Sequence, residues 1–249
     1  YLGCTYKDMG RDLDAIDAFL RATSLFPDTT NKYYAFSQFE LGRLYSSHLM
    51  LTPAQNALKN YKNYASLSND SLEMSYADYY LGMVYVSKGD SEKGRASYRS
   101  LLANGKAGIN EKGFALFQLS KIALLYDKDY DLAMDYIDQY FALSDNLGNF
   151  GSALSIKGQI YENMQKYDSA YHYFQLSLQS NSEDIYTKCS NYKHLNYIAS
   201  KLNRYDSVYD YTERYTVLLD SVYARTHRSE IKELMANHTI ELHDREMAE

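Results

Sequence analysis

The sequence predicts an all-α fold, a solenoid of antiparallel helix pairs, on three observations. Helix breakers are scarce: Pro27 and Pro53 are the only prolines in 249 residues, and glycine occurs 12 times. A small residue in one helical segment, followed by a second segment with Ala or Gly and a large apolar residue, recurs along the chain at a spacing near 40. No stretch shows the period-two alternation between turn residues that a strand requires.

Composition sets the class. With 45% hydrophobic residues the chain can bury a core. It holds 28 Tyr and 9 Phe but no Trp, a composition suited to many half-buried sites, because tyrosine buries its ring and keeps its hydroxyl wet. A formal net charge of −6, with no Lys/Arg cluster, argues against direct nucleic-acid contact, which needs a basic footprint. Cys4 and Cys189 form no metal or redox motif and read as buried free thiols. No apolar run approaches the ~18 residues of a membrane span. The sequence opens at Tyr1 inside a helical motif and is expected to be part of a longer or processed chain, so the missing leader carries no information.

The repeat elements follow in order. Leu2-Gly3 and Tyr6 precede Ala15, Phe19, Ala22 and Pro27; Leu41-Gly42 and Tyr45 precede Ala54 and Leu58; Leu81-Gly82 and Tyr85 precede Gly94 and Tyr98. Ile122-Ala123 with Tyr126 and Ala133 forms a degenerate fourth copy. Gly158 and Tyr161 with Tyr167, Ala170 and Phe174 form the fifth, and Leu195-Asn196 with Tyr205 and Val208 a degenerate sixth. Each small residue lets a neighbouring helix approach, and the large residue fills the space between them. One pair alone cannot bury its apolar stripe, so the pairs must stack. The anchors Gly3, Gly42, Gly82, Ala123, Gly158 and Asn196 are spaced 39, 40, 41, 35 and 38 apart, the extra length falling between repeats. Thr52-Pro53 reads as an N-cap and first helical position, Gly89-Asp90 as a stop and a cap, and Asp168 and Asp206 as further N-caps.

These residues, at these offsets, resemble the tetratricopeptide repeat (TPR), whose standard length is ~34 residues. The resemblance implies a right-handed superhelical TPR solenoid over residues 1–221, about six repeats with the first truncated, and a protein or peptide ligand on the concave face lined by the first helix of each pair. Carried over position by position, that face holds Phe36, Phe39 and Arg43, then Tyr76, Tyr79 and Met83, then Phe117, Ser120 and Leu124. It continues with Ser155, Gln159 and Asn163, and ends with Lys193 and Tyr197. The groove is thus expected to be aromatic in its N-terminal half and polar in its C-terminal half. The family's carboxylate-binding set of Lys, Asn and Arg is not reproduced.

Other chemistry is weakly indicated. Asp127, Asp129, Asp131, Asp135 and Asp138 fall at several calcium-loop offsets, but Leu132 occupies the place of the required glycine, so they read as a turn and helix cap. His48, His172, His194, His227, His238 and His243 form no HExxH or Cys-His zinc spacing and read as surface residues. There is no P-loop, dinucleotide fingerprint or nucleophile elbow. No enzyme activity, metal or cofactor is expected. Asn237-His-Thr239 is a formal glycosylation triplet.

From residue 222 to 249 the chain turns strongly charged, and Ile231, Leu234, Met235, His238 and Leu242 recur at helical spacing, as in a capping or connector helix. Leu219-Asp220-Ser221 followed by Glu230-Ile231-Lys232-Glu233-Leu234 resembles the end of the TPR sensor region in Bacteroidetes membrane-anchored regulators. That resemblance implies a signalling or transcription-regulatory protein, an extracytoplasmic (periplasmic) location, and membrane anchoring through segments outside 1–249. A soluble cytoplasmic receptor for a signalling peptide is the alternative.

Overall fold

The structure is a computed structural model that describes all residues except 144–149, 181–183 and 249; within the last helix, the side chains of 229, 232, 239 and 242–248 are also left undescribed. Among the described residues there are twelve α-helices in sequential antiparallel pairs: α1 Leu2–Asp8 with α2 Asp12–Leu25, α3 Lys32–Ser47 with α4 Leu51–Leu67, and α5 Ser71–Ser87 with α6 Ser91–Ala103. These are followed by α7 Ile109–Ile122 with α8 Tyr130–Leu143, α9 Phe150–Asn163 with α10 Tyr167–Gln179, and α11 Ile185–Lys201 with α12 Tyr205–Ala248. Two compact units emerge, residues 1–107 with 227–249 and residues 108–226.

Glycine fixes the approach of four of the pairs. A Cβ on Gly3 would sit 2.8 Å from the Phe19 ring, on Gly42 2.5 Å from Leu58, on Gly82 2.5 Å from Tyr98, and on Gly158 3.0 Å from Phe174. In every case the partner lies sixteen positions further along the chain (3 to 19, 42 to 58, 82 to 98, 158 to 174). Leu58, Tyr98 and Phe174 are fully buried, each worth about 1.5–3 kcal/mol against exposure.

A second periodicity lies in the turns. Gly10, Leu49, Gly89, Lys128, Gln165 and Asn203 all have φ between 55° and 82°, one per repeat, where the first helix of a pair ends. Only glycine adopts that conformation freely. The residue after each turn donates its N–H back five positions, as from Met50 to Tyr45, Asp90 to Tyr85, Lys166 to Tyr161 and Arg204 to Ala199. In the fourth repeat the bond spans six, from Asp129 to the Ala123 carbonyl at 3.0 Å, because a π-helical turn, Ala123–Asp127, takes in one extra residue.

This shifts the fourth repeat's frame. Ala123 holds the place of Tyr45 and Tyr85, so the close-approach residue is Ser120, not Ala123; its hydroxyl donates to the Ala133 carbonyl at 2.8 Å, fully buried. The anchors around it become evenly spaced (82, 120, 158). Tyr126, named in the fourth copy of the motif, is 49% exposed.

The caps also differ in detail. Asp90 accepts from the Lys93 N–H as expected, and Asp70 and Asp184 cap α5 and α11. However, α4 starts after Met50, which places Thr52 and Pro53 inside the first turn, where a missing N–H costs nothing. Asp168 and Asp206 likewise sit in the first turns of α10 and α12 rather than capping them; there they face the positive end of the helix dipole.

In the first unit, one core joins Ala15, Ile16 and Phe19 to Leu41, Leu44, Leu58, Leu81 and Val84, and Ala236 of α12 belongs to it with no exposed surface. Ile240 packs against the same core, whereas Ile231, Leu234 and Met235 remain on the surface. Leu242 and Thr239, the last residue of the Asn237-His-Thr239 triplet, lie outside the described side chains.

Candidate functional site

In the first unit half-buried side chains of α3 and α5, with buried Tyr61 of α4, form an aromatic cluster. The Phe39 ring lies 4.7 Å from Tyr61, 5.6 Å edge-on from Tyr80 and 6.3 Å from Tyr76. Tyr79 meets Tyr80 edge-to-face at 4.8 Å. The Arg43 guanidinium lies over both Phe39 and Tyr80, 5.5 and 5.7 Å from their centroids. Such contacts contribute about 0.5–1 kcal/mol each at exposed sites.

Glu40 places the arginine. Its side chain is 5% exposed, and its two oxygens are shared: Lys7 of α1 donates at 2.8 Å and Arg43 at 3.3 Å. The arginine itself keeps 40% of its side-chain surface. Phe39, Tyr76, Tyr79 and Met83 are half-buried, while Phe36 is exposed and packs edge-on against Phe19 at 6.2 Å. Burial pushes the Tyr61 hydroxyl far up, with Glu73 adding to it, so Tyr61 stays a neutral wall of the cluster.

In the second unit Asn163, Lys193 and Tyr197 line one open pocket of ≈ 410 Å³, together with Glu162, Tyr167 and His194. The His194 ring stacks on Phe174 at 5.1 Å, and its Nδ1 lies 2.7 Å from Glu162. Gln159 is half-buried, and its carbonyl accepts from the Asn163 amide at 2.8 Å.

Several expected groove residues are not on a surface. Ser120 and Leu124 are 0% and 3% exposed, a direct result of the shifted frame in the fourth repeat; Phe117 keeps the position of Phe39 in the corrected frame but is buried there, at 8% exposed. Ser155 is also buried and donates to Asn191 at 2.6 Å. Correcting the frame brings forward Lys121, whose ammonium lies 5.6 Å from the Phe117 centroid; burial lowers its pKa. Sequence reasoning missed Lys121 because Ala123 imitates the small anchor. It missed Tyr80 because the residue sits one position past the groove register.

The acidic run is engaged in helix contacts: Asp129 accepts from the Leu132 N–H, Asp135 from Gln139, and Asp138 from Lys157 at 2.6 Å. Among the described residues no group of three His, Cys, Asp or Glu could hold a metal ion. No helix among them is long and apolar enough to cross a membrane. His48, read as a surface residue, is buried with its Nε2 3.1 Å from Asp12, and His194 is half-buried; the side chain of His243 is not described. Cys189 is buried as expected, and burial raises its thiol pKa, but Cys4 is only half-buried.

Residues 2–29 and 151–184 match a tetratricopeptide repeat family, and residues 76–104 match a second tetratricopeptide repeat family. These three segments are similar to TPR repeats. Curated proteins give no match. Among solved structures, the TPR fold is shared with BtubC (BKLC) from P. vanneervenii, at TM-score 0.67 and 12% identity over 86% of this chain and 92% of that one. A tetratricopeptide repeat protein from Parabacteroides merdae aligns at TM-score 0.64 and 15% identity, covering 97% of this chain and 89% of its own. The C-terminal part of a TPR repeat-containing protein from Cytophaga hutchinsonii aligns at 0.57 and 12%, covering 96% and 92%. At such identities the likeness shows the fold alone. TPR repeats generally bind proteins or peptides and are typically non-catalytic.

Proposed function

We propose that this TPR chain is a binding scaffold whose ligand face in the first unit is the cluster of Phe36, Phe39, Arg43, Tyr76, Tyr79 and Met83. The observation that carries the reading is Arg43: a half-exposed guanidinium held by a buried carboxylate above rings from two successive first helices. Aromatic residues and arginine are the side chains in which interface energy concentrates. In the second unit the pocket of Asn163, Lys193 and Tyr197, with Gln159 one turn before Asn163, offers a polar counterpart.

The test is selection of a random dodecapeptide display library on the folded chain, followed by calorimetry with the enriched peptides. Replacing Arg43 and Tyr79 by Ala together should abolish binding and leave helicity, measured by circular dichroism, intact. Undiminished affinity in the double variant overturns the groove reading.

The role of residues 222–249 as a cap is supported by Ala236, which enters the core of the first unit. A sensor role in an extracytoplasmic regulator rests on the Leu219–Leu234 resemblance. A fusion of the natural gene product to a periplasm-dependent alkaline phosphatase tests the location, and an inactive fusion argues for the cytoplasm.

A further inference from the structure

The pocket of the second unit lies where α9 ends, α10 begins and α11 passes, and its polar groups are held in place. The His194 ring is fixed twice, stacked at 5.1 Å on the fully buried Phe174 and bonded through Nδ1 to Glu162 at 2.7 Å. With Nδ1 donating to the carboxylate, the neutral imidazole has Nε2 as an acceptor. The Asn163 amide is tied to the Gln159 carbonyl at 2.8 Å. Tyr197, 43% exposed, meets Tyr167 edge-to-face at 6.4 Å, and Lys201 lies over its ring at 5.2 Å.

Size, charge and polarity together select the ligand. The volume of ≈ 410 Å³ falls within the ~300–1,000 Å³ of small-ligand sites. Among the described residues one carboxylate, Glu162, and one ammonium, Lys193, line it, so with His194 neutral the lining has no net charge and favours an uncharged ligand. Side-chain amides of Asn163 and Gln165, an imidazole and an ammonium stand beside the tyrosine rings, which mixes donors, acceptors and apolar surface. A pyranose has the matching pattern: hydroxyls that both donate and accept around its edge, and a patch of C–H groups on its face. An extended peptide spaces its groups along a line at about 3.3 Å per residue, whereas these converge on one concavity.

We propose that this pocket is a saccharide site, in which a neutral sugar residue lays its C–H face on Tyr197 and turns its hydroxyls to Asn163, Gln165, Lys193 and the His194–Glu162 pair. Tyr197 supplies the apolar floor. Lys193 and the two amides donate to sugar oxygens, and His194, held by Glu162, accepts from a hydroxyl. The inference goes beyond the binding of peptides, and its failure leaves the aromatic cluster of the first unit untouched.

The experiment is saturation-transfer difference NMR on the full chain with maltotetraose, cellotetraose, xylotetraose and mannotetraose. Adenosine and a dodecapeptide of Ser-Tyr-Gln repeats serve as uncharged probes of other classes. At least one tetrasaccharide should receive saturation, strongest at its ring C–H protons, and titrate to a Kd. Tyr197→Ala should weaken that Kd about tenfold, and Lys193→Met should weaken it by a smaller factor. Tyr197→Phe keeps the ring and should stay within about twofold of the parent, which separates loss of the floor from misfolding. Transfer to none of the four sugars, or a Kd unchanged in both Tyr197→Ala and Lys193→Met, overturns the inference. So does adenosine or the peptide binding more tightly than every sugar and losing that binding in Tyr197→Ala. The peptide reading of the first unit is decided separately, by display-library peptides and the Arg43 and Tyr79 double variant.

Discussion

The Ser120 hydroxyl donates to the Ala133 carbonyl at 2.8 Å in a site closed to solvent. This is where α7 and α8 come closest, and it does the work that Gly42, Gly82 and Gly158 do elsewhere. A hydroxyl needs more room than a hydrogen atom, and it is accepted here because it finds an acceptor on the opposite helix. Ser120→Ala should therefore cost about 0.5–1.5 kcal/mol, the value of one buried hydrogen bond, measured by urea unfolding. A neutral result would mean that the bond adds nothing to the pairing.

The glycine contacts predict a graded series. A Cβ at position 82 meets the fully buried Tyr98 ring at 2.5 Å, but at position 158 it meets Phe174 at 3.0 Å. Gly82→Ala should lose about 1–3 kcal/mol from overpacking. Gly158→Ala should fall closer to neutral, since alanine recovers up to about 1 kcal/mol of helix propensity. Equal losses in denaturant titrations would refute the ordering.

Leu49 has φ 59° and keeps about half its surface exposed (48%). It holds the turn position that glycine fills at Gly10 and Gly89, so the backbone is strained and little packing is at stake. Leu49→Gly should raise the unfolding free energy by about 0.5–1 kcal/mol. A loss would show that the leucine side chain contributes more packing than its exposure suggests.

Glu73 has an oxygen buried without a partner, and its pKa is raised by burial first and by Asp70 second. A carboxyl with a raised folded pKa binds more protons folded than unfolded. Its contribution therefore falls as pH rises from the unfolded value through the folded one, and the cost remains in full above that window. Glu73→Gln should stabilise the protein at neutral pH and flatten stability against pH in the weakly acidic range. The check is unfolding at a series of pH values, and a variant that tracks the parent in parallel contradicts it.

Among the described tail residues, Ala236 is the one without exposed surface in the first unit's core. Ala236→Glu places a charge there and should release the segment 227–241. Hydrogen exchange should then speed up over 230–241 and stay unchanged in α5. An unaltered exchange pattern would mean that the segment is not held by this contact.

Much of this architecture could be read from the chain. Gly3, Gly42, Gly82 and Gly158 pair with the large residues the repeat frame assigns them, because each contact joins two residues a fixed distance apart on consecutive helices. The fourth repeat escaped, since a π-helical turn is a backbone event and Ala123 is as small as the anchor it imitates. The seat of Ala236 escaped for another reason: nothing local in a charged helix marks which alanine meets a core assembled more than 150 residues earlier. At the candidate site, the TPR frame names Arg43 and Phe39 but not Tyr80. Nor does it name Glu40, which fixes the guanidinium, because the partner Lys7 lies on the preceding pair.

The single extra residue between Ala123 and Asp129 has a wider consequence. The left-handed turns keep their rhythm on either side of it, at Gly89, Lys128 and Gln165, so a change of length at this helix end is absorbed on the spot. Insertions and deletions need not propagate as errors of phase. Copies of the motif can drift independently in length, and a lineage of such chains can gain or trim residues at these ends while its helix hairpins continue to fit one another.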